Sequence, residues 1–284
     1  MRFEFIKTQR EDLSVQQMCE LLNVSSSGYY AWLKRPVSQR EQENKRLVVK
    51  IQHLHKQSRQ TYGSPRIHAD LQDMDVKVSR KRVARLMRRH GIQTRQKRRF
   101  KTTTKVDPTR TSQPNLLAQD FSAEAINEKW VADITYIATH EGWLYLAAIL
   151  DVHSRKIVGW SMSPRLHKKL VKDALVMALG QRTPSDRLIH HSDKGSQYTS
   201  DDYLKLLKQH HIDISMSGTG NCYDNAMMES FFATLKAECV FECFESQRHA
   251  RQSIFEYIEV WYNRLRRHSA LGYLSPEQFE QRSA

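Results

Sequence analysis

The spacing of apolar positions changes along the chain, and the change divides it. Over the first ninety or so residues these positions recur at helical intervals: Val15, Met18, Leu21 and Leu22 form one stripe, and Leu47, Val48, Ile51 and Leu54 another. Steps of three and four residues place side chains on one face of a helix. The first stripe stops at a polar break, Asn23 to Ser25, after which Ser26 or Ser27 can cap a second short helix carrying Tyr29, Tyr30, Trp32 and Leu33. That outline predicts a helix-turn-helix and serves equally for an ordinary helical hairpin. A helix over about 44–56 follows, then a second helical pair between Ser64 and His90. There Ser79 is placed to cap a helix beginning at Arg80, Gly91 is placed to end it, and Val83, Leu86 and Met87 supply its core face.

Beyond residue 101 the periodicity vanishes. TTTKVDPTRTSQPN, rich in Thr and Pro, reads as part of a linker over 102–122. From Lys129 apolar β-rich runs appear: WVADITYIAT, WLYLAAILDV and KIVGWSM, joined by turns at His140-Glu141-Gly142 and His153-Ser154-Arg155. Three such runs with short turns predict an antiparallel meander. A helix from about Lys168 to Gly180, the strand RLIHH, a helix from about Asp201 to His210, the strand HIDIS, a Gly-rich loop and two long helices beginning near Asn225 and Ser246 complete the order. The fold class is therefore α/β, a mixed sheet flanked by helices and preceded by an all-α region.

Charge sharpens this division. Residues 1–105 carry 25 Lys and Arg against 9 Asp and Glu, whereas residues 106–284 carry 20 against 22. Eleven basic residues and no acidic one lie between Arg80 and Lys101, among them Arg80, Lys81, Arg82, Arg85, Arg88 and Arg89. Uncompensated like charges repel unless a polyanion neutralises them, so the front of the chain reads as a DNA-binding surface, with a solvated basic helix as the alternative. No apolar run reaches the roughly 18 residues that a membrane span needs, and the Met1 end lacks a signal-peptide core, so a cytosolic protein without a membrane partner is expected. Cys19, Cys222, Cys239 and Cys243 form no CxxC pair and are expected as buried thiols.

Three carboxylates carry the candidate chemistry. Asp133 lies mid-strand in an apolar run, an expensive place for an unpartnered charge. Asp193 follows RLIHH at the strand's C-terminal end, the edge where open α/β sheets place ligand sites. Glu229 sits near the start of a helix whose buried stripe is Met228, Phe231, Phe232 and Leu235. Hard cations such as Mg²⁺ take oxygen ligands, and phosphoryl transfer uses two ions to stabilise attacking and leaving oxygens. A strand centre, a neighbouring strand end and a helix can bring such ligands to one point. His190 and His191 precede Asp193, but adjacent strand residues face opposite ways, which favours structural or DNA-facing roles. Asp224 and Asn225, opening a helix, read as caps. Asp151 begins a turn and reads as structural.

Taken together, these blocks make the chain resemble the DDE transposases of bacterial insertion sequences, specifically the second reading-frame product with a retroviral-integrase-like core. The resemblance rests on WVADITYI, YLAAILDVHSRKIVGW, HHSDKGSQYTS, GNCYDNAMMESFFATLKAE, YIEVWYNRLRRHSALGYLSPEQF and TYGSPRI, and on the 35 residues separating Asp193 from Glu229. It implies a ribonuclease-H-like five-stranded core over 123–284, helix-turn-helix regions over 1–60 and 61–101, and two Mg²⁺ or Mn²⁺ ions. Asp133 would bridge both ions, with Asp193 and Glu229 each completing one shell. A water would cut the strand at the element's end, and the freed 3′-OH would attack a second phosphodiester. Implied partners are double-stranded DNA, further copies of the chain on paired ends, and an upstream-frame protein or its fusion, all at the nucleoid. Lys236, seven residues after Glu229 on the same helix face, matches a basic position of related transposases and would hold DNA. A catalytically silent DNA-binding regulator and a structure-specific nuclease of the same fold are the alternatives.

Overall fold

The computed structural model describes residues 2–94, 114–184, 187–217 and 225–283. The front of the chain is helical: α1 (Arg2–Gln9), α2 (Val15–Leu21), α3 (Ser26–Lys34), α4 (Gln39–Gln57), α5 (Ser64–Asp73) and α6 (Arg80–Arg89). Helix α3 is capped by Ser25, whose side chain accepts from the Gly28 N–H, one residue earlier than the expected cap. The α2 stripe also rotates. Met18 and Cys19 are buried with Ile6 and Tyr29, whereas Leu21 stands 84% exposed. Ser79 caps α6 as expected, accepting from the Arg82 N–H, and Gly91 takes a left-handed φ of 64° just beyond the helix.

The sheet comprises β1 (Lys129–Thr139), β2 (Gly142–Asp151), β3 (Ile157–Ser163), β4 (Ile189–Ser192) and β5 (Asp213–Met216), in the order β3-β2-β1-β4-β5. The first three strands are antiparallel, while β4 runs parallel to β1 and β5 parallel to β4. Gly142 opens β2 with a φ of 103°, a conformation that explains a glycine at this hairpin. Alternation along β1 sends Trp130 and Ala132 to one face and Val131 and Ile137 to the other. Helix α7 (Lys168–Gln181) and α8 (Asp201–Gln209) cover the first face. Helices α9 (Ala226–Glu238) and α10 (Gln247–Phe255), with the π-helical continuation Glu256–Tyr262, cover the second, and α11 (Pro276–Ser283) ends the chain. Contact between α7 and β3 is close: a Cβ on Gly159 would collide with the Ala174 carbonyl oxygen.

Both sheet edges find substitutes for a sixth strand. At β3 the Asn263 amide accepts from the Ile157 N–H at 2.9 Å and donates to its carbonyl at 3.0 Å. At β5 the backbone N–H groups of Leu116 and Leu117 donate to the Ser215 hydroxyl, and Met216 N–H donates to the Pro114 carbonyl. Of the expected linker, residues 102–113 lie outside the described residues, and residues 114–117 lie along β5. Cys19 and Cys239 are buried as expected; Cys243 is exposed, and Cys222 lies outside the described residues. No helix among the described residues is long and apolar enough to cross a membrane.

Candidate active site

The register of the parallel pair brings two of the carboxylates side by side. Val131 pairs with His191, so two steps further along, where the ladder opens, Asp133 and Asp193 stand level at the C-terminal edge of β4. Alternation turns Asp133 toward the face that α9 covers. Its Oδ1 accepts from the Ile134 N–H at 2.7 Å, and Asp193 Oδ1 accepts from the Gly195 N–H at 2.9 Å. Burial, then the charge of Asp193, and more weakly that of Glu229, push the Asp133 carboxyl up to about 8. Burial also raises Asp193. Glu229 projects from the first turn of α9, exposed at the surface, and desolvation raises its pKa too.

Asn225 fixes the start of α9. It makes no side-chain cap, contrary to the expectation; instead its Nδ2 donates to the Ala132 carbonyl at 3.2 Å, next to Asp133. The same residue type at a helix start suits either role, and only the proximity of β1 selects this one. Asp224 lies outside the described residues. Lys236 sits half-buried with its Nζ 4.8 Å from the Tyr136 ring centroid, and its positive charge acts on Asp133. Burial lowers the Lys236 pKa against that attraction.

The histidines turn away from one another. His190 Nε2 meets the Tyr203 hydroxyl at 3.0 Å on the α8 side, and burial drives its pKa down to about 3. His191 Nδ1 meets Ser215 Oγ at 2.8 Å. Both are buried structural groups, and Asp151 accepts from the Ser154 N–H of its own turn and from the Asn127 N–H just before β1. Among the described residues no three His, Cys, Asp or Glu side chains stand close enough to grip one ion. The donor chemistry nevertheless suits a hard divalent cation: all three groups offer oxygen, and the crowding of Asp133 by Asp193 and Glu229 is relieved by positive charge.

The basic helix α6 separates into two faces. Arg82 donates to Asn44 at 3.0 Å and to Glu43 at 3.2 Å, and Arg89 stands 3.6 Å from Glu41, so these two serve the contact with α4. Lys81, Arg85 and Arg88, spaced i, i+4 and i+7, share an exposed face, with Arg80 exposed beside it. Sequence periodicity could have separated them, because Arg82 and Arg89 are themselves seven residues apart. The part of the stripe beyond residue 94 lies outside the described residues.

Comparison with known proteins adds a second line. Residues 123–222 match the family described as Integrase core domain, residues 210–276 match a second family of that description, and residues 41–100 match the HTH-like domain. The chain is 43% identical over its full length to transposase InsF of the insertion sequence IS3A from Escherichia coli (strain K12), covering 99% of that protein. It is 46% identical, over 93% of its length and 98% of the other, to a 31 kDa protein of insertion element IS600 from Shigella sonnei. Among solved structures, the HTLV-2 integrase catalytic core superposes with a TM-score of 0.44 at 14% identity, covering 56% of this chain and 99% of that one.

Proposed function

The chain belongs to the insertion-sequence transposases with an integrase core domain, and from that premise we propose that Asp133, Asp193 and Glu229 are the residues at which it cuts and rejoins DNA. The observation that carries this reading is the register that sets Asp133 level with Asp193, beneath a helix pinned at Ala132 and carrying Glu229 in its first turn. The three carboxylates would hold two Mg²⁺ or Mn²⁺ ions. Such ions, when bound, stabilise charge on the attacking and leaving oxygens of a phosphodiester.

This chain's own residues do the rest. Asn225 holds the first turn of α9 against β1, and so sets where Glu229 stands relative to Asp133. Lys236, two helical turns beyond Glu229, offers a cation to the DNA backbone beside that point. The exposed face of Lys81, Arg85 and Arg88, flanked by Arg80, would bind backbone phosphates, while Arg82 and Arg89 orient α6 on α4. Residues 1–60 and 61–101 would form the DNA-binding regions and 123–284 the catalytic core. Copies of the chain would assemble on paired element ends at the nucleoid, with the upstream-frame protein or its fusion as a further partner.

The test uses purified full-length chain, alone and with the upstream-frame product, on a labelled duplex carrying an element end in Mg²⁺. Joined products are expected, and Asp133→Asn, Asp193→Asn and Glu229→Gln are each expected to abolish cleavage while retaining end binding. Cleavage at wild-type rate by any variant removes that residue from the site. Nicks without joined ends would indicate a nuclease, and binding without products a regulator.

A further inference from the structure

On the far side of α9 from Glu229, a cavity of about 150 Å³ opens between α5, the β2–β3 turn and the segment that follows the π-helix. Its lining includes Arg66, Arg155, Arg266 and His268. The four groups are close enough to feel each other: burial and then Arg266 lower Arg66, with Glu238 opposing, and burial, followed by the charges of Arg266, Arg66 and Arg155, drives the His268 imidazole down to about 2, hence neutral. Only one of the guanidiniums is neutralised. Arg266 is forked onto Glu238 at 2.7 and 2.8 Å, whereas neither Arg66 nor Arg155 has a carboxylate within ion-pair distance among the described residues. Arg66 lies over the Tyr62 ring at 5.4 Å, and Arg155 is held at a left-handed φ of 59° in its turn. His268 is 8% exposed, and its Nε2 has no hydrogen-bond partner.

Two guanidiniums without a paired carboxylate around one small, half-enclosed space, beside an imidazole nitrogen without a hydrogen-bond partner, form an unfavourable arrangement in the absence of an anion. Guanidinium forks match the tetrahedral oxygens of phosphate, and Ser230 and Ser269 add hydroxyl donors to the same lining. We propose that this cavity binds a phosphate group, and that on DNA the group is a backbone phosphodiester. The choice of DNA rests on the transposase reading and on position. Arg66 opens α5, the helix before the basic helix α6, while Ser230 follows Glu229 directly on α9. A strand seated there is thus held by the DNA-binding helices and the catalytic helix together.

The experiment compares full-length wild type with Arg155→Gln, Arg66→Gln and the double variant. One arm measures duplex affinity between 50 and 200 mM salt, conditions chosen for the phosphate-counting relation of about 0.9 in slope per contact. The other titrates inorganic phosphate, read by ³¹P NMR line broadening. Loss of about one unit of salt slope in the double variant supports a phosphodiester ligand. Broadening by wild type that the double variant loses, with an unchanged slope, supports the phosphate site and assigns it to free phosphate. An unchanged slope together with no phosphate binding overturns the proposal. Should wild type fail to bind DNA at all, the transposase reading falls, while the phosphate arm still decides the cavity. Arg155→Gln, confined to a turn, keeps the test valid should Arg66→Gln misfold, as circular dichroism would show.

Discussion

Helix α9 carries Glu229 at one end and a buried ion pair at the other, and the pair offers the sharpest test of what holds that helix in place. Glu238 and Arg266 are 6% and 4% exposed, and the carboxylate also accepts from the Tyr257 hydroxyl at 2.9 Å. Replacing Glu238 with Gln leaves a guanidinium buried without its counter-charge, beside Arg66. For pairs of this burial, loss of one partner costs about 3–5 kcal/mol, against about 0–1 kcal/mol for an exposed pair. At roughly 2–4 °C per kcal/mol for a chain of this size, melting should fall by about 6–20 °C. A second variant, Glu238→Gln with Arg266→Met, should recover most of that loss, because the stranded charge is gone. The pH dependence follows from the same contacts. Burial pushes the Glu238 carboxyl up, but the Arg266 hydrogen bonds and charge outweigh it, leaving the pKa below the usual glutamate value. A depressed folded pKa means stability that is present above the unfolded value of about 4.3 and lost as pH falls through the folded one. Urea titrations at pH 7 and pH 3.5 check both statements. A Glu238→Gln loss under 1 kcal/mol at pH 7, or one no smaller at pH 3.5, would refute the account.

Three further outcomes are expected. Replacing Lys81, Arg85 and Arg88 together with Ala should flatten the salt dependence of DNA affinity by up to about 3 units, and Arg82→Ala should instead lower the melting temperature; an unchanged slope would mean the exposed α6 face does not meet DNA. Lys236→Ala should keep overall DNA affinity and lower end cleavage at least tenfold, since in-line phosphoryl transfer is sensitive to position; equal rates in a single-turnover assay would reduce the lysine to a structural contact with Tyr136. Gly159→Ala should destabilise by about 3 kcal/mol in urea, because the new methyl group meets a backbone carbonyl rather than a movable side chain; a loss under 1 kcal/mol would show that β3 and α7 separate easily.

The elements legible in sequence are those with enough buried apolar positions to mark a stripe or a run. β1 and β2 are buried along most of their length, and the run lengths and turn residues alone give their ends to within a residue or two. Helix α1 is different: among RFEFIKTQ only Ile6 is buried, so no stripe announces it. The candidate site divides in the same way. Asp133 stands out because a charge in an apolar strand is costly, and Asp193 because it ends one. Nothing local states that β4 pairs with β1 in the register Trp130 to His190, yet that register makes the two aspartates neighbours. Asn225 is misread for a related reason. A side chain that can cap its own helix is claimed instead by the Ala132 carbonyl, some ninety residues away in sequence.

The longest-range contacts bear most on how binding and chemistry are coupled. A basic front and a neutral back, separated by an aperiodic segment, invite the picture of a DNA-binding unit on a tether. Packing of α4 to α6 argues otherwise for that part of the front. Ile51, Ile67, Leu71 and Leu86 belong to the same buried cluster as Val131, Phe231 and Tyr262. Arg267 pairs with Asp70 and Asp73 of α5, its backbone N–H donates to the Tyr62 hydroxyl at 2.6 Å, and Arg59 at the end of α4 meets Glu256 at 2.7 Å. These joins cross from the HTH-like region to the C-terminal helices that also support α9. Helix α6 therefore has a fixed bearing on Asp133 rather than a floppy one. On the proposed reading, DNA held by the exposed face of Lys81, Arg85 and Arg88 would be presented to the three carboxylates at a set distance, and geometry of that kind, more than affinity, limits an in-line phosphoryl transfer.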